Sequence, residues 1–445
     1  MRGWVRAAAL CVGAALGLGA AWADTQPEHD EEAHETLLGD MGGLRPSLER
    51  AGLTLGLQET SQLTRLVSGG LQRGSAYTGL TQLTLAGDGD KAWGWSGGSF
   101  YLSALNIHGR RASFTQDNVG GLQTVSNIEA KPATRLWELW AQQSWADGKA
   151  ELRVGKLAAD QEFMTSEYAS SLPNAMFGWA ALPSIDLPAG GPAYPLASLG
   201  ARLRVQPGER LTLLAGVFDG SPVGRDEEHP AWIDRHGMRL VPTGQALWIA
   251  ELQYQRPADA DDGLPGTYKV GAWVHTGRFD DPRLDSAGRS LADPASNGVA
   301  LQHRGNHSLY AMADQMLWRQ GARNVGVFAR AMAAPGDRNR VDFSANAGLA
   351  FNGPFEERAA DVLALGVGQA RLSRCACASS GGRETFVEAT YRYPIKPWWQ
   401  VQADLQYVIR PGGLGAAQRI PNALMLGLRD RKSTRLNSSH RTVSR

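Results

Sequence analysis

The stretch from Leu157 to Pro195 gathers a carboxylate, an amide and several aromatic rings, at Glu162, Phe163, Tyr168, Asn174, Phe177 and Trp179. That mixture offers ring faces for stacking and polar groups for hydrogen bonding, the ionised ones making the stronger bonds. At about 39 residues the stretch is far longer than an ordinary connection, and its aromatic content argues against a disordered linker. Phe163 and Phe177 either line a constriction or pack the stretch against its surroundings, and Trp179 is the preferred stacking residue.

A second set of charges sits in alternating segments. Glu138, Arg153, Arg202, Arg204, Arg330, Glu388, Arg392 and Asp404 fall on polar faces opposite apolar residues such as Trp137, Leu139, Val154 and Leu203. If the apolar face meets lipid, an Arg or Lys on it near the midplane costs about 2–4 kcal/mol, so these charges belong on the other face. That placement fits a solvated wall as well as solute contact. Lys156 shares the apolar parity but lies at a segment end, where its stem can snorkel toward an interface.

Catalytic chemistry has little to build on. His108, His236, His275, His303 and His307 offer bases, but no G-x-S-x-G or H-E-x-x-H motif accompanies them, so a hydrolase is only an alternative. No P-loop, zinc-spaced cysteine set or basic aromatic stripe is present, and no cofactor, metal or nucleic-acid partner is expected. Cys375 and Cys377, separated by one alanine, form either a disulfide, a free pair or a metal pair in a loop, and they cannot supply a disulfide framework.

The ends set the compartment. Arg2 and Arg6 precede a short apolar run ending in Ala21-Trp22-Ala23, the pattern of a cleaved export signal over residues 1–23. Residues 24–52 form an acidic, His-containing leader with a short helix near 44–51 capped by Gly52. Asp430 to His440 reads DRKSTRLNSSH, which back-translates to a common sequencing adapter, so residues 430–445 are set aside as a non-native tail. Without both ends, 38 basic residues face 43 acidic ones, a net charge of about −5.

Between these ends, over 53–429, sixteen segments alternate: 53–65, 75–87, 97–108, 135–145, 150–157, 197–206, 210–219, 245–256, 266–276, 307–318, 323–334, 341–352, 360–371, 383–393, 398–409 and 421–429. In WQVQADLQYVI and VDFSANAGLAF one face is wholly apolar and the other polar, as a tilted strand between lipid and water requires. Turns after even-numbered segments are mostly tight (146–149, 206–209, 319–322, 394–397), whereas several after odd-numbered ones are long (109–134, 158–196, 220–244, 277–306). This pattern predicts an all-β chain, a transmembrane antiparallel barrel of sixteen strands with short periplasmic turns and long external loops. The leader helix is then periplasmic. Trp93, Trp95, Trp145, Trp273, Trp318, Tyr391, Tyr393, Trp398 and Trp399 suit interface girdles. The Leu157–Pro195 stretch becomes the third external loop, expected to fold inward and narrow the pore. A soluble adhesion protein would share the alternation but not the sorting of connections.

Several motifs then coincide in order: LLGDMGGLRPSLERAGLTL at 37–55, WELWAQQSWADGKAELRVGKLAADQEF at 137–163, LPNAMFGW at 172–179, GGPAYPLASLGARLRV at 190–205, and ETFVEATYRYPIKPWWQVQADLQYVIRPGG at 384–413 followed by NALMLGLR. Together they resemble the OprB-type carbohydrate-selective porins of Gram-negative outer membranes. The resemblance implies passive diffusion of mono- and small oligosaccharides, with carbohydrate solutes, outer-membrane lipid and lipopolysaccharide, and the barrel assembly machinery as partners; formation of a homo-trimer stays open. Arg153, Arg202 and Arg204 keep a general or anion-preferring porin as the alternative. Met41 replaces the family's usual aromatic residue, and the last segment stops at Arg429 without the aromatic end the family uses in assembly.

Overall fold

A computed structural model describes residues 37–110, 113–224, 234–258, 263–375, 382–413 and 419–434. The expected export signal, the leader before Leu37, Cys377 and residues 435–445 lie outside these. Cys375 is disulfide-bonded.

Sixteen antiparallel strands close into one barrel, each paired with its neighbours in sequence and the first with the last. They are β1 (Leu53–Ser68), β2 (Gly74–Asp88), β3 (Gly98–Arg110), β4 (Ala133–Trp145), β5 (Ala150–Leu157), β6 (Ser198–Gly208), β7 (Leu211–Asp219), β8 (Ala246–Arg256), β9 (Gly266–Asp285), β10 (Ala300–Gln320), β11 (Arg323–Ala333), β12 (Val341–Asn352), β13 (Val362–Leu372), β14 (Arg383–Lys396), β15 (Trp399–Ile409) and β16 (Ala423–Ser433). A seven-residue helix, α1 (Leu44–Arg50), precedes β1.

Strand alternation sorts the side chains as lipid and water demand. On β15, Gln402, Asp404 and Gln406 are buried on the inner face, while Leu405 and Tyr407 are exposed on the outer one. Outward apolar residues such as Leu63, Val154, Val270 and Leu309 stand 50–66% exposed, a belt left uncovered by the described residues. On β1–β4 that belt is broken. Glu59, Ser61, Thr81, Asn106 and His108 occupy outer-face positions by register. His108 lies 3.5 Å from Glu59, and Asn106 donates to Thr134 at 2.6 Å.

Several expectations change. The β9–β10 hairpin runs to Asp285 and resumes at Ala300, well past the expected ends at 276 and 307. Its outer part has no apolar belt to imprint a period of two, and Asp280, Asp281 and Pro282 hide the strand. β16 extends through Ser433 rather than stopping at Arg429, because Asp430–Ser433 meet open ladder positions on both β1 and β15. Trp137 turns inward: a bulge pairs Ser103 with Glu138 and Ala104 with Leu136, leaving Trp137 unpaired between them. Trp273 belongs to no girdle, since it faces the interior and is 1% exposed.

The wall has a seam. β5 ends at Leu157, so the start of β4 lacks a partner on that side. Residues 234–237 fill the gap, with Leu136 N–H donating to the His236 carbonyl at 3.0 Å. Lys156, expected to snorkel outward, is buried there instead and donates to Asp234 at 3.1 Å and to the Gly237 carbonyl at 2.7 Å.

If the exposed belt is lipid-facing, Val270→Arg lowers unfolding stability by about 2–4 kcal/mol in urea titrations of vesicle-embedded protein, whereas Val270→Ile leaves it within error. Equal stability of both variants would contradict that exposure.

Candidate functional site

The third loop, 158–197, is tied down by strands from much of the circumference. Met164 N–H donates to Glu251 on β8 at 2.9 Å, and Lys269 on β9 donates to the Thr165 carbonyl at 2.6 Å. Ser166 donates to Asp314 on β10 at 2.5 Å, and Arg330 on β11 donates to the carbonyls of Gly178, at 2.6 Å, and Met176. Asn174 gives its N–H to Glu388 on β14 at 3.1 Å and its side-chain amide to Gln406 on β15 at 3.0 Å. One segment reaches six strands of a closed barrel only across the interior.

Aromatic rings seat the loop in sockets. Phe163 meets Phe218 edge-on at 6.3 Å, and Phe177 lies between Phe328 at 5.5 Å and Phe386 at 5.2 Å. Glycines make the room: a Cβ on Gly326 would fall 2.0 Å from the Tyr168 ring, and one on Gly366 would fall 2.3 Å from Phe177. Phe163, Tyr168 and Phe177 are all buried in these contacts.

The charges from β4–β6 are also brought together. Arg202 pairs with Glu151 at 3.0 Å and with Glu162 at 2.8 Å, Arg204 with Glu151 at 3.2 Å, and Arg153 with Glu162. The Arg153 guanidinium also sits 3.7 Å above the Trp140 ring. Glu138 accepts the Ala158 N–H at 3.1 Å, where the chain leaves the wall. Asp404 is bridged to Glu388 through the Gln406 amide, at 2.8 Å and 3.0 Å. Arg392 alone of the expected set is half-buried with no carboxylate within 4.0 Å among the described residues.

A further open space lies on the opposite side of the loop. A cavity of about 660 Å³ separates the third loop and the 113–132 segment from the wall formed by β16 and β1–β4. Of the expected site residues only Trp179 lines it, with its indole N–H fixed on the Gly190 carbonyl at 2.9 Å. Trp137 and Tyr194 supply further rings, edge-on at 6.2 Å, and Glu129, Asp160 and Arg429 supply charge. Arg429 donates to Gln62 at 2.6 Å and to Asn127 at 2.7 Å, and Tyr194 donates to the Ile128 carbonyl at 3.0 Å. Sequence reasoning missed these five. Trp137 is hidden by the bulge, Glu129, Asp160 and Tyr194 lie in loops without periodicity, and Arg429 stands at a segment end.

Two of the lining carboxylates are hard to ionise. Burial pushes Glu129 up to about 7, against hydrogen bonds from the Thr115 N–H and hydroxyl that favour its charged form. Burial likewise pushes Asp160 up to about 6, opposed by the Tyr194 N–H.

Residues 72–431 match the family described as carbohydrate-selective porin, OprB family. Porin B of Pseudomonas aeruginosa is 24% identical across 93% of this chain and 94% of its own length. The putative porin QuiX of Acinetobacter baylyi is 22% identical across 90% and 92%. The fold matches the high-pH structure of Pseudomonas putida OprB with a TM-score of 0.79 at 21% identity, over 91% of this chain and all of that one.

Both carboxylates hold their protons below these raised values and release them as pH climbs through about 6 to 7, adding negative charge to the cavity. Reversal potentials should therefore move toward cation preference between pH 5 and 8, and Glu129→Gln should remove the upper part of that shift. An unaltered pH profile in Glu129→Gln would show that ions do not pass this cavity.

Proposed function

The chain belongs to the OprB family of carbohydrate-selective porins, a carbohydrate-selective channel of the outer membrane, and on that premise we propose that mono- and small oligosaccharides diffuse passively through the cavity beside the third loop. The observation that carries this reading is the lining itself: the rings of Trp137, Trp179 and Tyr194 share one space of about 660 Å³ with Arg429, Glu129 and Asp160. Rings and charges placed around one passage give a sugar both a stacking face and hydroxyl partners, while the absence of any need for tight binding lets it leave.

In this reading the expected residues divide by role. Trp179 touches solute. Glu138, Arg153, Glu162, Arg202, Asn174, Arg330 and Glu388 hold the loop in position, Arg204 and Asp404 brace the wall residues that grip it, and Phe163, Tyr168 and Phe177 are its apolar seats. A second reading, anion preference, is favoured by one observation: Arg392 and Arg429 both stand opposite Gln402 on the inner face, bringing their positive charges into one row. Residues 1–23 act as the export signal and α1 lies on the periplasmic side, with lipopolysaccharide and the assembly machinery as the contacts of the mature barrel.

Deleting Thr165–Gly178 should leave a folded barrel with higher single-channel conductance and weaker sugar discrimination in planar bilayers. Unchanged conductance would remove the loop from the permeation path. Trp179→Ala should weaken sugar-dependent block roughly two- to tenfold, the range of a lost ring contact, with little change in ion flow. Strong anion selectivity without any sugar block would favour the second reading.

A further inference from the structure

At the outer end of the β9–β10 hairpin, Arg278 and Arg304 are direct cross-strand partners. Both are exposed on the outer face. Like charges set opposite each other on a strand pair are destabilising unless something shares them. Neither guanidinium has a carboxylate within 4.0 Å among the described residues. The acids nearest in sequence are already engaged: Asp280 accepts from Gln302, and Asp281 is bound by His303 at 3.0 Å and Arg283 at 3.4 Å.

The two guanidinium groups border a notch of about 480 Å³ that Gln245, Thr276 and Gly277 complete, where β8 stops and β9 continues. The Thr276 hydroxyl oxygen accepts the Ala246 N–H at 2.8 Å, which leaves its own O–H free to donate. One step down the same outer face, Val274 stands opposite His307 and then Ala272 opposite Leu309, where the apolar belt begins. The notch therefore sits at the boundary between the belt and the wet outer hairpin.

We propose that Arg278 and Arg304, with the Thr276 hydroxyl, form a seat for the phosphate monoester of a lipid headgroup whose acyl chains lie along the outer wall below. Two planar guanidinium forks match the oxygens of one phosphate, and its negative charge relieves their mutual repulsion. A lipid is the fitting source because the donors lie directly above exposed apolar side chains, which a free anion would leave bare. The inference rests on the membrane placement of the barrel but not on what the channel conducts, so a failure here leaves the sugar reading intact.

The purified barrel in detergent, incubated with bisphosphorylated lipid A and measured by native mass spectrometry, should retain the lipid. Arg278→Gln with Arg304→Gln should reduce retention about tenfold or more, the scale of lost charge-assisted bonds. Arg319→Gln, at an exposed arginine near the opposite end of β10, should retain it fully. Heat-modifiable gel migration reports whether each variant is folded, and the single Arg278→Lys variant gives a partial loss if the double variant is not. Equal retention by wild type and folded double variant overturns the proposal. So does displacement of the lipid by submillimolar inorganic phosphate, which would make the notch a site for a free anion.

Discussion

The structure depends on the satisfaction of charged groups on a wall from which water has been displaced. Glu251, Asp314, Arg330 and Glu388 project inward from four different strands and are nearly or wholly removed from solvent by the third loop. A bare ionised group in such a place would cost several kcal/mol, and each is matched by a backbone N–H or carbonyl of the loop itself. The loop's path is thereby written on the wall: acids accept the N–H groups of Met164 and Asn174, and the one arginine donates to the carbonyls of Met176 and Gly178.

This arrangement moves the open space to one side. With loop and wall joined along β8–β15, and a second lock of arginines and glutamates at β4–β6, a cavity of about 660 Å³ is left beside β16 and β1–β4. The charges that look most like ligands in an alternating strand are therefore mostly occupied by the protein. Those that face the cavity are fewer: Glu129 and Asp160 come from loop segments, and Arg429 and Arg431 from the end of β16.

Much of this was legible in the sequence, and the limits have physical causes. The barrel, its strand count and the inward direction of Arg153, Arg202, Arg330 and Glu388 follow from parity, since a period of two is enforced wherever lipid and water face each other across a strand. The partners of those residues do not follow, because Arg330 meets Gly178 and Glu388 meets Asn174 across more than 150 residues of chain. Parity also fails at a bulge: one extra residue turns Trp137 from the outer face to the cavity and leaves no trace in composition. Beyond the apolar belt nothing imposes a period, which is why the outer reach of β9 and β10 reads as loop. The ladder of β16, by contrast, accepts Asp430–Ser433 through backbone groups alone, so it is indifferent to which side chains extend the strand.

The seam beside β5 has a consequence for insulation. Elsewhere the wall is sealed by strand pairing, but between β4 and the end of β5 the seal is Lys156 gripping Asp234 and the Gly237 carbonyl, with His236 standing in for a missing strand. Electrical tightness is thus inherited from the folding of an outer loop as well as from barrel closure. A chain could be inserted and fully laddered yet still leak at that corner, and the step that makes it a defined channel would be the docking of a few residues from outside the sheet.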